Sequence, residues 1–329
     1  MSDPQTLCLA LPVLGTSKIN AKISLVPDAV IEVSHLKKTY GSLTAVEDIS
    51  FDVHRGEIFG MVGPNGAGKT TTIECMEGMR KADGGAIRIL GLDPATEERA
   101  LRQRIGVQLQ QSALHDRMKV WEAMDLFSDL YPKPVPWEPL LEQLGLAEKR
   151  DSYFSKLSGG QKQRLFIALA LIGDPELVFL DELTTGLDPH ARHAMWDLVR
   201  DVRARGKVVF LTTHFMEEAE RLCDRVAIVD HGKVVALDTP AKLIASLGGS
   251  NRVVFSTDAD VTALIRDCEG VRAVERIAER TIVGGDGDML VVNVVTALVK
   301  AGVRFRDLRT EQPKLEDVFL ALTGQEMRD

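Results

Sequence analysis

The octapeptide Gly63-Pro64-Asn65-Gly66-Ala67-Gly68-Lys69-Thr70 sits between an apolar run, Ile58-Phe59-Gly60-Met61-Val62, and a helix-forming stretch. It has the form GxxxxGK[ST]. A buried strand must deliver the chain into this turn, and a helix must leave it. Glycines at 63, 66 and 68 let the backbone wrap an anion with its N–H groups turned inward. The helix that follows aims its positive end at the same anion. Lys69 can then reach the β- and γ-phosphates of a nucleotide, and the Thr70 hydroxyl can ligate Mg²⁺. Residues 63–71, Thr71 included, are the expected phosphate cradle. Alone, the segment also reads as an ordinary glycine-rich turn before a helix.

The 329 residues allow one large domain plus a smaller one, or two of moderate size. Hydrophobic content of 45% provides a core without disulfides or structural metal. The net charge of −8 argues against nucleic acid as the main partner, because phosphate backbones are gripped by an excess of Lys and Arg. No window of about 18 apolar residues occurs, so no spanning helix is expected. Near the N-terminus, Leu7-Cys8-Leu9-Ala10-Leu11 is apolar, but Asp3 and the lack of a preceding Lys or Arg make a poor secretory signal. Residues 1–28 are expected to form a flexible N-terminal extension. Cys8, Cys75, Cys223 and Cys268 are scattered, with no CxxC pair, so reduced thiols are expected.

Along the chain, strand-like and helix-like segments alternate, which implies an α/β fold with a mainly parallel sheet covered on both faces. Strands are predicted at 30–33, 45–53, 58–62, 86–90, 105–109, 177–180, 208–212, 226–229 and 234–237. Helices are predicted at 68–79, 120–130, 140–146, 191–205 and 215–222. Pro132, Pro134, Pro136 and Pro139 break the chain between two of these, and residues 112–165 read as a helical insert. The α/β domain is placed at 29–248. Beyond Gly248-Gly249-Ser250 the character changes, and 249–329 reads as a small α+β domain of the split βαβ type. Within it, 289–293 is predicted as a strand and 295–301 as a separate helix.

Two further motifs carry chemistry. Asp181-Glu182 closes an apolar strand; an acid there can hold Mg²⁺, and its neighbour can take a proton from an attacking water. An apolar run capped by surface acids is the plain alternative. Leu157-Ser158-Gly159-Gly160-Gln161 opens a helix with a good N-cap and two glycines that bare backbone N–H groups. This is a second anion grip, unless it is only a capped helix after a turn. One chain then has two phosphate grips but would use only one per nucleotide. A head-to-tail pair of chains resolves this, with Lys69 of one chain and Ser158 of the other on each nucleotide.

The order of these motifs over residues 30–245 resembles the ATP-binding subunits of ABC transporters. The resemblance implies a P-loop ATPase domain with a mainly parallel sheet, an antiparallel β subdomain and a helical insert. It implies ATP and Mg²⁺ as cofactors. Gly63–Thr70 then corresponds to the nucleotide loop, Leu157-Ser158-Gly159-Gly160-Gln161 to the family signature, and Asp181 to the metal-binding acid at a strand end. Glu182 corresponds to the catalytic carboxylate, Thr185-Gly186-Leu187-Asp188 to the dimer-contact loop and His214 to the switch histidine. Gln110 resembles the glutamine facing the permease, able to touch Mg²⁺ or water without fixing charge; Gln108 and Gln111 are competing candidates. Tyr40 resembles the aromatic that stacks on adenine, with a surface Tyr closing a strand end as the alternative. Glu182 is expected to be the general base, unless it only polarises water and His214 contributes more.

One departure stands out. The family has Pro after the catalytic glutamate, whereas this chain has Leu183, which restores an N–H and frees φ. The closing segment, Leu315-Glu316-Asp317-Val318-Phe319-Leu320-Ala321-Leu322-Thr323-Gly324, resembles that of ATPases serving drug-resistance-type bacterial exporters. Leu315, Val318, Phe319 and Leu322 would share one helical face, directed at the core or at a partner. The implied partners are an integral-membrane permease and a second copy of the chain, at the cytoplasmic face of the membrane. Nucleic acid is not expected. A ribosome- or nucleic-acid-linked relative would carry tandem modules, zinc cysteines or long coiled coils. A kinase would leave Leu157–Gln161 without a role.

Overall fold

The computed structural model describes residues 29–108, 114–247, 251–287 and 289–324. The strands are β1 (Ala29–Tyr40), β2 (Leu43–His54), β3 (Ile58–Val62), β4 (Gly84–Ile89), β5 (Ile105–Gln108), β6 (Leu177–Asp181), β7 (Val208–Thr213), β8 (Arg225–Asp230), β9 (Lys233–Asp238), β10 (Asn251–Ser256), β11 (Val271–Ile277), β12 (Arg280–Gly285) and β13 (Arg306–Glu311). The helices are α1 (Lys69–Met76), α2 (Glu98–Arg102), α3 (Val120–Ser128), α4 (Trp137–Gln143), α5 (Gly159–Leu171), α6 (Pro189–Ala204), α7 (Met216–Leu222), α8 (Pro240–Ala245), α9 (Thr262–Arg266), α10 (Leu290–Lys300) and α11 (Leu315–Thr323).

Nine strands make one mixed sheet in the order β4-β1-β2-β9-β8-β3-β7-β6-β5. The run from β8 to β5 is parallel, whereas β4, β1 and β2 pair antiparallel at the other end. The parallel strands read as unbroken apolar runs because both faces are covered. Side chains alternate across the sheet. Ile58 and Val62 of β3 enter the core beneath α3–α7, while Phe59 and Met61 enter the core shared with α1 and the antiparallel strands. In the second core the rings of Phe51, Phe59 and Phe210 stack with centroids 5.3–5.8 Å apart. Each such pair adds about 0.5–1.5 kcal/mol beyond area burial.

The parallel order fixes the site. In register, Val62 of β3 lies beside Thr213 of β7, and Thr212 of β7 beside Asp181 of β6. Three neighbouring strands therefore end together, and the segments leaving them carry Gly63, His214 and Glu182.

The second sheet has the order β11-β12-β10-β13, all antiparallel, with α9 and α10 in its connections. That is the split βαβ arrangement. It encloses its own core around Phe255, Val283, Val294 and Leu298. The closing helix α11 does not join that core. Leu315, Val318 and Phe319 are buried in the large unit's core, and the Leu315 N–H donates to Glu220 of α7 at 3.1 Å. An Arg252–Asp317 ion pair ties α11 back to β10. Leu322, two turns on from Leu315 on the same face, is 49% exposed, so that end of the stripe is left uncovered.

Other differences have local causes. The helix predicted at 68–79 stops at Met76, because Gly78 turns to φ +74° and an added Cβ would lie 2.8 Å from the Pro94 carbonyl. The helix predicted at 140–146 starts earlier, at Trp137, whose indole donates to Asp125 at 2.7 Å. The predicted strand 289–293 and helix 295–301 are one helix, α10. The Val-rich sequence favours a strand, but Leu290, Val294 and Leu298 bury one helical stripe. Helices α2 and α8 were not predicted; the second was signalled by Thr239, which N-caps it ahead of Pro240.

Candidate active site

The segment 63–68 rises from buried β3 to an exposed crest at Asn65 and Gly66 and drops back into the core at Ala67. Its glycines are demanded by the chain itself. A Cβ on Gly63 would lie 2.1 Å from the Val229 carbonyl oxygen, and one on Gly68 would lie 2.4 Å from that of Ala45. Gly66 and Gly68 hold φ of +83° and +101°. Helix α1 starts without a side-chain cap, so its first N–H groups face the hollow of the loop. Thr70 and Thr71 are half-buried at this first turn.

Lys69 is 4% exposed. Its Nζ donates to the carbonyls of Gly63 at 2.8 Å and Pro64 at 3.1 Å, and stands 3.8 Å from Glu182 Oε1. Burial pulls its pKa down, while Glu182 and Asp181 hold it up. Asp181 ends β6 and accepts a hydrogen bond from the Thr212 hydroxyl. Burial, with Glu182 adding like-charge repulsion, raises its pKa. The Glu182 N–H donates to the Thr212 carbonyl at 3.1 Å, and its backbone has φ +48°, uncommon for a residue with a Cβ. This constrained backbone aims the carboxylate across the strand ends. His214 Nδ1 is 3.6 Å from Glu182 Oε1 and has no hydrogen bond of its own. Thr185 Oγ1 donates to Glu182 Oε2 at 3.4 Å. Leu183 is 3% exposed and packs in the core, which anchors the chain just past Glu182 in the absence of proline.

The serine-led helix start is built differently. Ser158 caps α5 by accepting from the Gln161 N–H at 3.3 Å, and Gln161 Oε1 accepts from the Ser158 N–H at 3.0 Å. Leu157 is buried beneath, while Ser158 and Gly159 are exposed. A Cβ on Gly159 would meet Leu187 at 3.9 Å, and one on Gly160 would meet Ala191 at 3.7 Å, both ordinary contacts. No hydrogen bond links 158–161 to 63–71 among the described residues. The segment 182–188 bridges the two regions: Thr185 touches Glu182, Leu187 lies under Gly159, and Asp188 caps α6.

Tyr40 closes β1 opposite Leu43, with Lys38 Nζ and the Arg80 guanidinium each 5.5 Å from its ring centroid. Leu43, its partner across the turn, lies two strand residues, about 7 Å, from Ala45, whose carbonyl oxygen packs against Gly68. Gln110 and Gln111 fall outside the described residues. Gln108 is buried at the end of β5, where its amide donates to Gln163 at 3.4 Å. Thr212, which holds both Asp181 and Glu182, was missed by sequence reasoning. Its signal was a hydroxyl pair, Thr212-Thr213, directly before His214.

A family model described as ABC transporter matches residues 46–185. Nod factor export ATP-binding protein I of Paraburkholderia xenovorans is 42% identical over 315 residues, covering 92% of this chain and 100% of the relative. The protein of the same name in Sinorhizobium fredii is 37% identical, over 92% and 88%. The chain belongs to the ATP-binding subunits of ABC transporters. A solved ATP-binding subunit of an ABC transporter matches with TM-score 0.60 and 31% identity, over 67% of this chain and 93% of that one. The subunit cbiO1 from Clostridium perfringens, part of the transporter complex cbiONQ, matches with TM-score 0.60 and 26% identity, over 67% and 92%. The α/β fold is therefore that of an ABC ATPase, and this ATP-binding subunit is an ATP-hydrolysing enzyme. Among the described residues, Cys75, Cys223 and Cys268 are free thiols. Among the described residues no helix is long and apolar enough to cross a membrane.

Proposed function

We propose that this subunit powers export through a separate permease. In this reading two copies clasp two ATP molecules between them and separate after hydrolysis. The observation that carries it is the convergence of Lys69, Asp181, Glu182 and His214 where β3, β6 and β7 end.

Lys69, held 4% exposed beside the cradle carbonyls, turns its charge to the terminal phosphates. The loop N–H groups and the open start of α1 take the remaining phosphate oxygens. Glu182 accepts the proton of the attacking water, and His214, 3.6 Å away, fixes that water against the γ-phosphate. Tyr40 offers its ring to the base.

Mg²⁺ fits the donors present. Thr70 and Asp181 supply hard oxygens, and the repulsion between buried Asp181 and Glu182 favours a cation nearby. Among the described residues no three acidic, imidazole or thiol groups converge as a metal cage. That suits an ion completed by water and phosphate. When bound, Mg²⁺ would neutralise charge developing on the phosphate oxygens. Gln110 remains a proposed contact to it.

The small unit, 249–329, is proposed as an accessory domain and 1–28 as a flexible extension. The insert at about 112–165, with Gln110, is proposed to face the permease, which would hold the subunit at the cytoplasmic face of the membrane. The closing segment resembles drug-resistance-type exporter ATPases, and the relatives above are named for export of Nod factor. Outward transport is what the two share. Glu182→Gln should retain ATP affinity while turnover falls about 10²–10⁴-fold, the usual worth of a general base. Turnover at the wild-type rate in that variant, or recovery of the chain with ribosomes rather than a membrane protein, would contradict the proposal.

A further inference from the structure

Behind His214 lies a buried carboxylate that hydrolysis itself does not use. Glu218, in the first turn of α7, is 2% exposed. A carboxylate is rarely buried so fully without a reason. Here three separate segments face it. Trp196 of α6 donates its indole N–H at 3.0 Å. Thr213, the residue before His214, has its hydroxyl close to the carboxylate and accepts the Phe215 N–H at 3.0 Å. Thr184, two residues after Glu182 and 1% exposed, turns its hydroxyl toward it without completing a hydrogen bond. Arg192 of α6 supplies positive charge nearby and lays its guanidinium 4.1 Å from the centroid of the Phe215 ring, so the residue after His214 is also tied to α6. Burial raises the Glu218 pKa, and the donors and Arg192 act against this rise.

We infer that Glu218 is a positioning residue that holds the segment carrying His214 and the segment carrying Glu182 in one register against α6. The inference rests on the roles given to those two residues above. Its physical content is a shared anchor. Thr213 is adjacent to His214 in sequence. Thr184 belongs to the stretch that runs from Glu182 to Leu187, under the serine-led helix tip. One carboxylate at the crossing lets the water-handling pair, 3.6 Å apart, keep that spacing when the tip is engaged. A merely structural carboxylate would show in stability alone.

The test is steady-state ATP hydrolysis by the purified full chain carrying Glu218→Ala, Glu218→Gln, Thr184→Ala or Trp196→Phe. A fluorescent ATP analogue reads affinity and thermal melting reads folding. Glu218→Ala should lose about 10- to 100-fold in kcat with KM and affinity within about 2-fold, since small misplacements of catalytic groups cost rates of this size. Glu218→Gln, which keeps an acceptor for the indole, should recover most of that loss. In a His214→Ala background, Glu218→Ala should cost no more than about 2-fold further, because groups acting as a unit are not additive. If Glu218→Ala does not fold, Thr184→Ala and Trp196→Phe carry the test, each expected to lower kcat several-fold. A kcat within 2-fold of wild type in the folded variants, or losses that multiply with His214→Ala, overturns the inference. Normal turnover by Glu182→Gln is a separate result; it would remove the role given to Glu182 and this inference with it.

Discussion

Two helices of this subunit begin at glycines, buried at the start of α1 and uncovered at the start of α5, and these glycines serve opposite ends. At the start of α1, Gly63 and Gly68 are required by the chain's own packing, with backbone oxygens 2.1 Å and 2.4 Å from where a Cβ would stand. At the start of α5, Gly159 and Gly160 have room for a side chain. The first region is closed on itself: Lys69, Asp181 and Thr212 all find partners within the fold. The second caps its own helix and leaves a bare backbone tip exposed. Smallness without an internal need implies that something from outside approaches there. A complete cradle beside an incomplete one is what a nucleotide shared between two copies requires.

The sharpest way to break this contrast is at Lys69. Lys69→Ala should weaken ATP binding by roughly 100-fold, the loss of charge-assisted contacts worth about 3 kcal/mol. Titration with a fluorescent ATP analogue checks it, and affinity within 3-fold of wild type would place the cradle elsewhere.

Gly63→Ala should cost about 1–3 kcal/mol of stability through forced backbone shifts, read by denaturant unfolding. A neutral outcome would mean that the loop is not held as tightly as the distances imply.

Helix α1 carries a further burden with no counterpart on α5. Glu77 is 2% exposed, its carboxylate oxygens have no hydrogen-bond partners, and burial, with Asp181 and Glu74 nearby, pushes its pKa up to about 8. Its usual value is 4.5. Between these values the folded chain keeps a proton that the unfolded chain has released. Stability therefore falls as pH rises through that window, and the full penalty stands above about pH 8. Glu77→Gln should remove the slope and gain on the order of 4 kcal/mol at pH 8.5 relative to pH 5. Parallel unfolding curves for wild type and variant across that range would refute the assignment.

The smallest expected effect on folding is at the exposed tip. Gly159→Ala should change stability by less than about 1 kcal/mol, while turnover falls at least tenfold with single-chain ATP affinity preserved. Unchanged turnover would make this tip an ordinary helix cap.

Much of this was legible in the sequence. Strand β3 and the loop 63–70 follow from an apolar run ending in glycines, and the order of motifs placed Asp181, Glu182 and His214 on strand ends. Their adjacency was not legible, since strand order and register arise from long-range pairing. Thr212 illustrates this: its hydroxyl matters because β7 lies between β3 and β6. The positive φ of Glu182 has no sequence signal, because only the packing of Leu183 and the Thr212 hydrogen bonds impose it. Tail helix α11 was readable as amphipathic, but its docking on α7 rather than on the second sheet depends on tertiary contacts.

The most direct measurement is a mixing experiment with two inactive chains, Lys69→Ala and Gly159→Asp. Each alone pairs a defect with every nucleotide. In a mixed pair, the intact loop of one chain meets the intact helix tip of the other at one of the two sites. Mixing should restore ATP turnover, up to about a quarter of the wild-type rate for random pairing of symmetric dimers. A mixture no more active than the average of its two components would contradict the sharing of ATP between copies.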